Sequence, residues 1–255
     1  MKLAVIGAGS IARWVIDALG RDGLEPAAVI VRGSTPEGID SVRSVAALPP
    51  GVTHLLDCAG HSGLAAHGPA ALAAGIDVVT LSLGALADEA LAADLTAAAE
   101  AGGARLHLAS GAIGALDALR AGAAGGLAAV RYTGRKPPTG WSGSPAEAVL
   151  DLAALTEAAV HFEGSARQAA LRYPKNANVA AAVALAGLGF DATQVRLIAD
   201  PGATGNIHEV ETEGAFGRFR FEITGEPLPG APASSALAAM SLLAEVRRLR
   251  ARVTT

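Results

Sequence analysis

The sequence predicts an α/β protein: a doubly wound parallel sheet at the N-terminus, followed by an α+β domain with a mostly antiparallel sheet. Three observations support this fold class. Short apolar runs alternate with helical segments up to about residue 115, which is typical of a parallel sheet with helical crossovers. A glycine-rich turn directly follows the first apolar run. Polar and apolar residues alternate in three segments between residues 194 and 223, which favours an antiparallel sheet with one solvated face.

The N-terminal domain is predicted to begin with a strand at Leu3 to Ile6, a short apolar run suited to burial on both faces. A helix is predicted over Ile11 to Leu19, where apolar residues recur at helical spacing before Gly20. The other predicted strands cover residues 27–31, 53–57, 78–81 and 105–108. The other predicted helices cover residues 64–74, where Gly75 is a typical C-terminal stop, and 88–101.

The pattern changes after about residue 115, so residues 1–115 and 116–233 are predicted to be separate domains. The elements predicted here are a helix over 113–124, a strand over 128–133, a polar loop over 134–145, a helix over 178–187, and strands over 194–198, 207–213 and 216–223. The last segment, 234–255, holds an amphipathic helix over 234–250 with arginines in its final turns, where they favour the helix dipole. This helix is expected to pack back on the first domain.

Composition excludes several classes of protein. With 255 residues, 51% of them hydrophobic, the chain can bury a core without a disulfide or metal staple. The net charge of -4 gives no basic patch, so neither nucleic acid nor a membrane is an expected partner. The single cysteine, Cys58, excludes a disulfide framework and a cysteine-based zinc cluster. The first apolar run is too short for a secretory signal, and a cytoplasmic location is expected.

The glycine-rich turn reads Gly-Ala-Gly-Ser-Ile-Ala from Gly7 to Ala12, between a predicted strand and a predicted helix. Gly7 permits the tight turn, and Gly9 lets the backbone approach a pyrophosphate. Amides at the helix start, around Ser10 and Ile11, then bind the phosphates. This indicates a Rossmann-type dinucleotide site; the alternative is a glycine turn that has lost its ligand. Further cofactor contacts are expected from Cys58 and Ala59.

The residues after the second predicted strand bear on the choice between NAD and NADP. An acidic residue there holds the ribose 2′-hydroxyl of NAD, whereas this chain has Val31-Arg32-Gly33-Ser34. Arg32 could pair with a 2′-phosphate, and Ser34 could add a hydrogen bond. This favours NADP or use of both cofactors. The alternative is that Arg32 is a solvated residue that stacks on adenine.

Among the histidines, His208 is the candidate for proton transfer, because imidazole titrates near neutral pH; a hydrogen-bonded strand histidine is the open alternative. His61 and His67 are six residues apart and do not share a helical face, so no metal pair is expected. The other three histidines are interpreted as structural: His54, His107 and His161.

Two polar segments of the second domain are candidates for ligand binding. The basic segment beginning Arg135-Lys136, read as a rigid loop, suits a dicarboxylate substrate, with a solvated turn as the alternative. Asn178 is either a helix cap or an amide that holds the nicotinamide or its ribose.

Six segments occur in an order that resembles the L-aspartate dehydrogenase family, and the match covers essentially the whole chain. They are Gly7–Ala12, Ser110–Asp117, Tyr132–Pro138, Tyr173–Asn178, Leu197–Pro201 and Gly205–Glu209. The Lys-Asn-Ala-Asn and Asn-Ile-His-Glu segments are the more specific motifs, whereas the glycine motif is generic. The family is similar in build to homoserine dehydrogenases and dihydrodipicolinate reductases.

The resemblance implies a nicotinamide-dependent oxidative deamination of L-aspartate to iminosuccinate and oxaloacetate with release of ammonia, reversible as reductive amination. It also implies that His208 is the active-site histidine, that Ala112 and Asn178 contact the cofactor, and that the protein is a homodimer paired through its second domain. Arg32 departs from relatives that carry an acid at that turn and prefer NAD.

The substrate carboxylates need cationic or amide partners. The candidates are Arg135 or Lys136, with Lys175, Thr204 and Asn206 in addition. Two other functions stay open at this stage: another NAD(P)-dependent reductase of a small keto or imino acid, and a non-catalytic NAD(P)-binding sensor.

Overall fold

The computed structural model describes residues 1–33, 38–174 and 176–254. The chain forms two compact units within these ranges. The first unit contains residues 1–111 together with 228–234 and 238 onward, and the second contains 112–227 with 235–237. The candidate residues Ser34 and Lys175 lie outside the described residues.

The first unit is built on a six-stranded sheet in which the paired strands run parallel, in the order β3-β2-β1-β4-β5-β6. The strands are β1 (Leu3–Ile6), β2 (Val29–Ile30), β3 (Ser41–Val42), β4 (His54–Asp57), β5 (Asp77–Thr80) and β6 (Leu106–Leu108). Its main helices are α1 (Ser10–Arg21), α2 (His61–Ala73) and α3 (Glu89–Gly102). Strand order reverses between β1 and β4, which confirms the doubly wound sheet and marks the edge where such folds bind ligands.

The predicted apolar runs become the centre of this sheet. The four residues of β1 are buried, and β4 and β5 add further buried aliphatic residues on both faces. Helices α2 and α3 cover one side, with Leu64, Leu72 and Leu95 in the shared core. Asp88 caps α3 by accepting hydrogen bonds from the amides of Ala90 and Leu91. The short edge strand β3 was not predicted, because its two residues, one exposed and one half-buried, are too few to carry a periodic pattern.

The second unit is built on a five-stranded sheet in the order β11-β10-β7-β9-β8, in which only the β7–β9 pair among the described strands is parallel. Its elements are α4 (Leu116–Gly125), β7 (Leu127–Lys136), β8 (Ala159–Ser165), α5 (Ala166–Arg172), α6 (Asn178–Ala186), α7 (Gly189–Ala192), β9 (Gln194–Ala199), β10 (Asn206–Gly214) and β11 (Gly217–Gly225). The mostly antiparallel sheet is therefore confirmed.

One prediction for this unit is wrong in a way that matters for the site. Strand β7 continues to Lys136, whereas the sequence predicted a strand ending at residue 133 and a loop from Gly134 onward. Gly134 and Pro137 indicated a loop locally. In the structure, residues 134–136 pair with β9, and Gly134 and Arg135 pair with β10 as well. Tertiary pairing therefore overrides local propensity.

The end of the chain forms β12 (Pro227–Leu228), β13 (Ala231–Ser235) and α8 (Ala236–Arg250). Most of α8 belongs to the first unit, as the sequence predicted for the last helix. There Arg247 makes two hydrogen bonds of 2.7 and 2.8 Å to Asp22, and the Ser241 hydroxyl accepts a hydrogen bond from the Gly111 amide. In the described part of the chain, no helix has the length and apolar character needed to cross a membrane.

Candidate active site

A cavity of about 540 Å³ opens at the carboxyl ends of β1, β2 and β4 in the first unit. It is called the dinucleotide pocket below. Five of the predicted cofactor residues line it: Gly7, Gly9, Arg32, Cys58 and Ala59. Two more, Ser10 and Ile11, are the first residues of α1. This is the position that a pyrophosphate takes in doubly wound folds.

The two glycines leave the space that a dinucleotide requires. Gly7 has φ of +100°, and a Cβ there would lie 3.2 Å from both the Cβ of Ala59 and the carbonyl oxygen of Cys58. Around Gly9, no atom of the described residues lies within 4 Å of an added Cβ, so this backbone is open to a ligand. Because Gly9 precedes α1 and has no side chain, the first amides of the helix are uncapped by that residue. The shape and the uncapped amides of this pocket therefore fit a dinucleotide cofactor.

A buried carboxyl supports the wall of the pocket. Asp57 is fully buried at the end of β4 and accepts hydrogen bonds from the Thr80 hydroxyl (2.7 Å), the Ser82 hydroxyl (2.6 Å) and the Ala59 amide (3.0 Å). Burial raises the pKa of Asp57, against the opposing effect of these hydrogen bonds. The network joins the ends of β4 and β5 and positions the Cys58–Ala59 segment. Burial also raises the pKa of the Cys58 thiol, which therefore stays protonated.

Three cationic or titratable residues beside the pocket were not predicted as cofactor ligands. Arg13 lines the pocket and donates to the Ala8 carbonyl at 3.0 Å, and His67 lines it from α2. Arg43 donates to the carbonyls of Val31 (2.8 Å) and Gly33 (3.3 Å), on either side of Arg32. His67 could have been found from sequence, because Gly63, Ala66 and His67 recur at helical spacing after β4. Arg43 could not, because it is brought there by β3.

In the second unit, His208 lies on β10 and is 4% exposed. Its Nδ1 is 2.7 Å from the Tyr132 hydroxyl. His208 pairs with Gly134 of β7, and alternation then places Tyr132 and Lys136 on the same sheet face as His208. Burial, and then the charge of Lys136, lower the pKa of His208 to about 4. The imidazole is therefore neutral at physiological pH.

On this sheet face, the Lys136 side chain is held by neighbouring residues. Its Nζ donates to the Asn176 side-chain oxygen at 2.8 Å and lies 4.9 Å from the centroid of the Trp141 ring. Trp141 is itself fixed by a 3.0 Å hydrogen bond to the Ile198 carbonyl and by the edge of His161. Burial lowers the pKa of Lys136 to about 8. The ammonium is thus partly desolvated, which strengthens its attraction for an anion.

The structure separates the two basic residues that the sequence presented as one loop. Arg135 pairs with Ile207 in the sheet ladder and so faces away from His208. Its guanidinium forms an ion pair of 2.7 Å with Asp200 and holds the pKa of that carboxyl below its usual range. Lys136 shares the face of His208, whereas Arg135 already has an anionic partner.

For the other predicted site residues of this unit, the structure shows position and burial but no contact that tests their proposed roles. Asn206 begins β10 and is half-buried, and Thr204 is exposed in the turn before it. Ala112 is buried directly after Gly111. Asn178 is the first residue of α6, whose N-cap is Ala177, so of the two interpretations of Asn178 the helix cap is wrong and the cofactor contact stays a prediction.

Comparison with known proteins identifies the family. Residues 117–249 match the family model described as aspartate dehydrogenase, C-terminal, and residues 7–109 match the homoserine dehydrogenase NAD binding domain. The L-aspartate dehydrogenase of Ruegeria pomeroyi is 57% identical over 97% of this chain and 92% of its own, and that of Pseudomonas aeruginosa is 47% identical over 95% of both. The crystal structure of aspartate dehydrogenase from Thermotoga maritima is 28% identical and covers 100% of this chain and 99% of its own, with a TM-score of 0.84. The chain belongs to the aspartate dehydrogenase family.

Proposed function

We propose that this protein is an NAD(P)-dependent L-aspartate dehydrogenase that oxidises L-aspartate to iminosuccinate, which is hydrolysed to oxaloacetate and ammonia, and that the reaction is reversible. The observation that carries the proposal is the sheet face shared by His208 and Lys136. A buried neutral imidazole suits proton transfer, and a partly desolvated ammonium suits a substrate carboxylate. The relatives named as L-aspartate dehydrogenases support the choice of substrate.

The dinucleotide pocket supplies the cofactor site in this proposal. A nicotinamide cofactor held in this pocket would supply hydride transfer to and from C2 of the substrate. Gly7 and Gly9 let the backbone approach the pyrophosphate, and the amides of Ser10 and Ile11 bind it. Cys58 and Ala59 form the wall that Asp57 holds. Ala112 and Asn178 remain proposed cofactor contacts on the strength of the family resemblance.

His208 serves as the general acid and base in the hydrolytic half of the reaction. As water adds to C2 of the protonated imine, the neutral imidazole takes a proton from it, and the C=N bond becomes a C–N single bond. The imidazolium then gives that proton to the amino nitrogen. As the C–N bond breaks, the imidazole takes the proton of the C2 hydroxyl, so that ammonia leaves as the C=O bond forms. The low pKa of His208 keeps the base form available throughout the neutral range.

Lys136 is the proposed partner of a substrate carboxylate. Its Nζ is held by Asn176 and the Trp141 ring, so its position is set before substrate binds. Arg135 is a weaker candidate, because Asp200 already neutralises its charge. Asn206, two residues before His208 on β10, and Thr204 are further candidates for the second carboxylate.

The cofactor is proposed to be NADP, or both NADP and NAD. Arg32 is exposed at the pocket, and Arg43 donates to the backbone carbonyls on either side of it. Two guanidinium groups at the turn after β2 support this proposal, because a guanidinium suits a 2′-phosphate. The homodimer and the cytoplasmic location stay predictions. Sedimentation of the purified protein tests the first of these.

The test is an assay of the purified protein with oxaloacetate, ammonium and either NADH or NADPH, followed by the absorbance of the reduced cofactor. Ammonium-dependent oxidation supports the proposal, and the ratio of the two initial rates measures the preference between cofactors. Oxidation without ammonium indicates a keto-acid reductase instead. Cofactor binding without any oxidation indicates another substrate or a sensor.

A further inference from the structure

We infer that Tyr132 is a positioning residue for His208: its phenol oxygen accepts a hydrogen bond from Nδ1–H and thereby leaves the lone pair of the imidazole on Nε2. The inference rests on the proposed role of His208 and adds to it the residue that selects the working nitrogen. Tyr132 is not expected to touch substrate or cofactor. It acts only through the ring of His208.

The geometry of the pair supports this assignment. The Tyr132 hydroxyl and His208 Nδ1 are 2.7 Å apart, the two rings are nearly parallel at 21°, and Tyr132 is 1% exposed. A protonated hydroxyl can donate to Nδ1 or accept from Nδ1–H. The proposed role of His208 as a base at Nε2 requires the second arrangement, in which Nδ1 carries the proton. With Nδ1 engaged, Nε2 is directed away from Tyr132.

The chemical type of the partner is also informative. A carboxylate in this position would favour the imidazolium and raise the pKa of the histidine. A phenol is neutral, and burial raises the pKa of Tyr132, so that it stays protonated. A neutral acceptor orients the ring without trapping the proton that Nε2 takes from water, so His208 can pass that proton to the substrate nitrogen, as its proposed role as acid and base requires.

Gly134 provides an independent observation. It lies between Tyr132 and Lys136 on β7 and pairs with His208 on one side and Leu197 on the other. A Cβ at this position would lie 2.8 Å from the Tyr132 hydroxyl oxygen and 3.2 Å from Leu197 Cδ2. In a strand paired on both sides, glycine is otherwise unfavourable. The missing side chain therefore makes the space in which the phenol reaches the imidazole.

The same unit contains a matched pair that serves as a control. The Tyr173 hydroxyl is 3.2 Å from His161 Nδ1, and both residues are buried. His161 Nε2 is buried and has no hydrogen-bond partner among the described residues. Tyr173→Phe thus removes a comparable buried contact between a tyrosine and a histidine that has no proposed role in proton transfer. His161 packs on Trp141, whose ring holds Lys136, so this variant is expected to act on the KM for aspartate and not on kcat.

The first experiment compares Tyr132→Phe with Tyr173→Phe. For Tyr132→Phe, kcat is expected to fall about tenfold, with KM values for aspartate and cofactor little changed, because one orienting hydrogen bond is lost. For Tyr173→Phe, kcat is expected to stay within about twofold. Gly134→Ala is expected to lower kcat in the same direction as Tyr132→Phe, because its methyl group collides with the phenol.

A double-mutant cycle separates positioning from general structural damage. In a His208→Ala background, Tyr132→Phe should cause no further loss, since the residue acts only through the imidazole. An equal loss in both backgrounds, or a folded Tyr132→Phe variant with the kcat of the wild type, would overturn the inference. If His208→Ala itself keeps its turnover, the proposed role of His208 fails, which is a different result.

A second measurement needs no variant. Nitrogen-15 NMR of the histidines in the full-length wild-type protein reports which ring nitrogen of neutral His208 carries the proton, with His208→Ala used to assign the signal. We expect Nδ1–H. A neutral His208 with its proton on Nε2 and an unprotonated Nδ1 would refute the inference, even if Tyr132→Phe does not fold.

Discussion

The two units build their sites from different parts of the chain. In the first unit, the dinucleotide pocket lies at the ends of strands that are adjacent in the sheet, and it is centred on the backbone of one glycine-rich turn, with one supporting carboxyl. In the second unit, buried side chains from different strands meet on one sheet face, as Tyr132 and His208 do across 76 residues of sequence. The first kind of site is encoded by a short segment. The second depends on strand register.

The largest expected effect tests the site made of side chains. His208→Ala should lower kcat by about 10²–10⁴-fold, which is the usual contribution of a general acid–base group. Cofactor affinity should be unchanged, because the dinucleotide pocket is built by the other unit. Steady-state kinetics and cofactor titration check both statements. Turnover within a few-fold of the wild type would remove His208 from the mechanism.

The next effect tests the site made of backbone. Gly9→Val should weaken cofactor binding by about 10- to 100-fold, since its side chain occupies the space of the pyrophosphate. The thermal midpoint without cofactor should hardly change, because no atom of the described residues lies within 4 Å of an added Cβ there. Gly20→Ala is the control: this position is equally open but lies in the last turn of α1, and the variant should bind cofactor normally. Normal binding by Gly9→Val would place the ligand elsewhere.

A third experiment asks whether strand alternation correctly separates Lys136 from Arg135. Lys136→Met should raise the KM for aspartate about tenfold or more through loss of a charge-assisted hydrogen bond. Arg135→Met should leave this KM nearly unchanged. Because the pKa of Lys136 is lowered to about 8, its positive charge is lost as pH rises through that value. KM should therefore rise above about pH 8 in the wild type and in Arg135→Met, but not in Lys136→Met. The reverse result for the two variants would reassign the carboxylate site.

The smallest effect concerns stability. The pKa of His208 falls from 6.5 to about 4 on folding, so the unfolded chain binds more protons between these values. Stability is then fully present above pH 6.5 and is lost as pH falls toward 4, by an amount on the order of 3 kcal/mol or less. Urea unfolding at neutral pH and near pH 5 measures the loss. His208→Ala should show a smaller difference between the two conditions.

Much of the fold followed from local patterns. The buried strands of the first unit, the glycine turn and the last helix were predictable, because burial on both faces and helical periodicity leave a direct trace in the sequence. The extension of β7 through Gly134 to Lys136 left no such trace. Neither did β8, which lies at the edge of its sheet and follows a long irregular segment.

The sequence by itself determined the two kinds of unit, the position of the dinucleotide site and the candidacy of His208. Only the tertiary structure decided which residues accompany that histidine. Side chains alternate between the two faces of a strand, so the one-residue difference between Arg135 and Lys136 places them on opposite faces. The register of β10 against β7 then brings Tyr132 to His208, and no local segment contains that information.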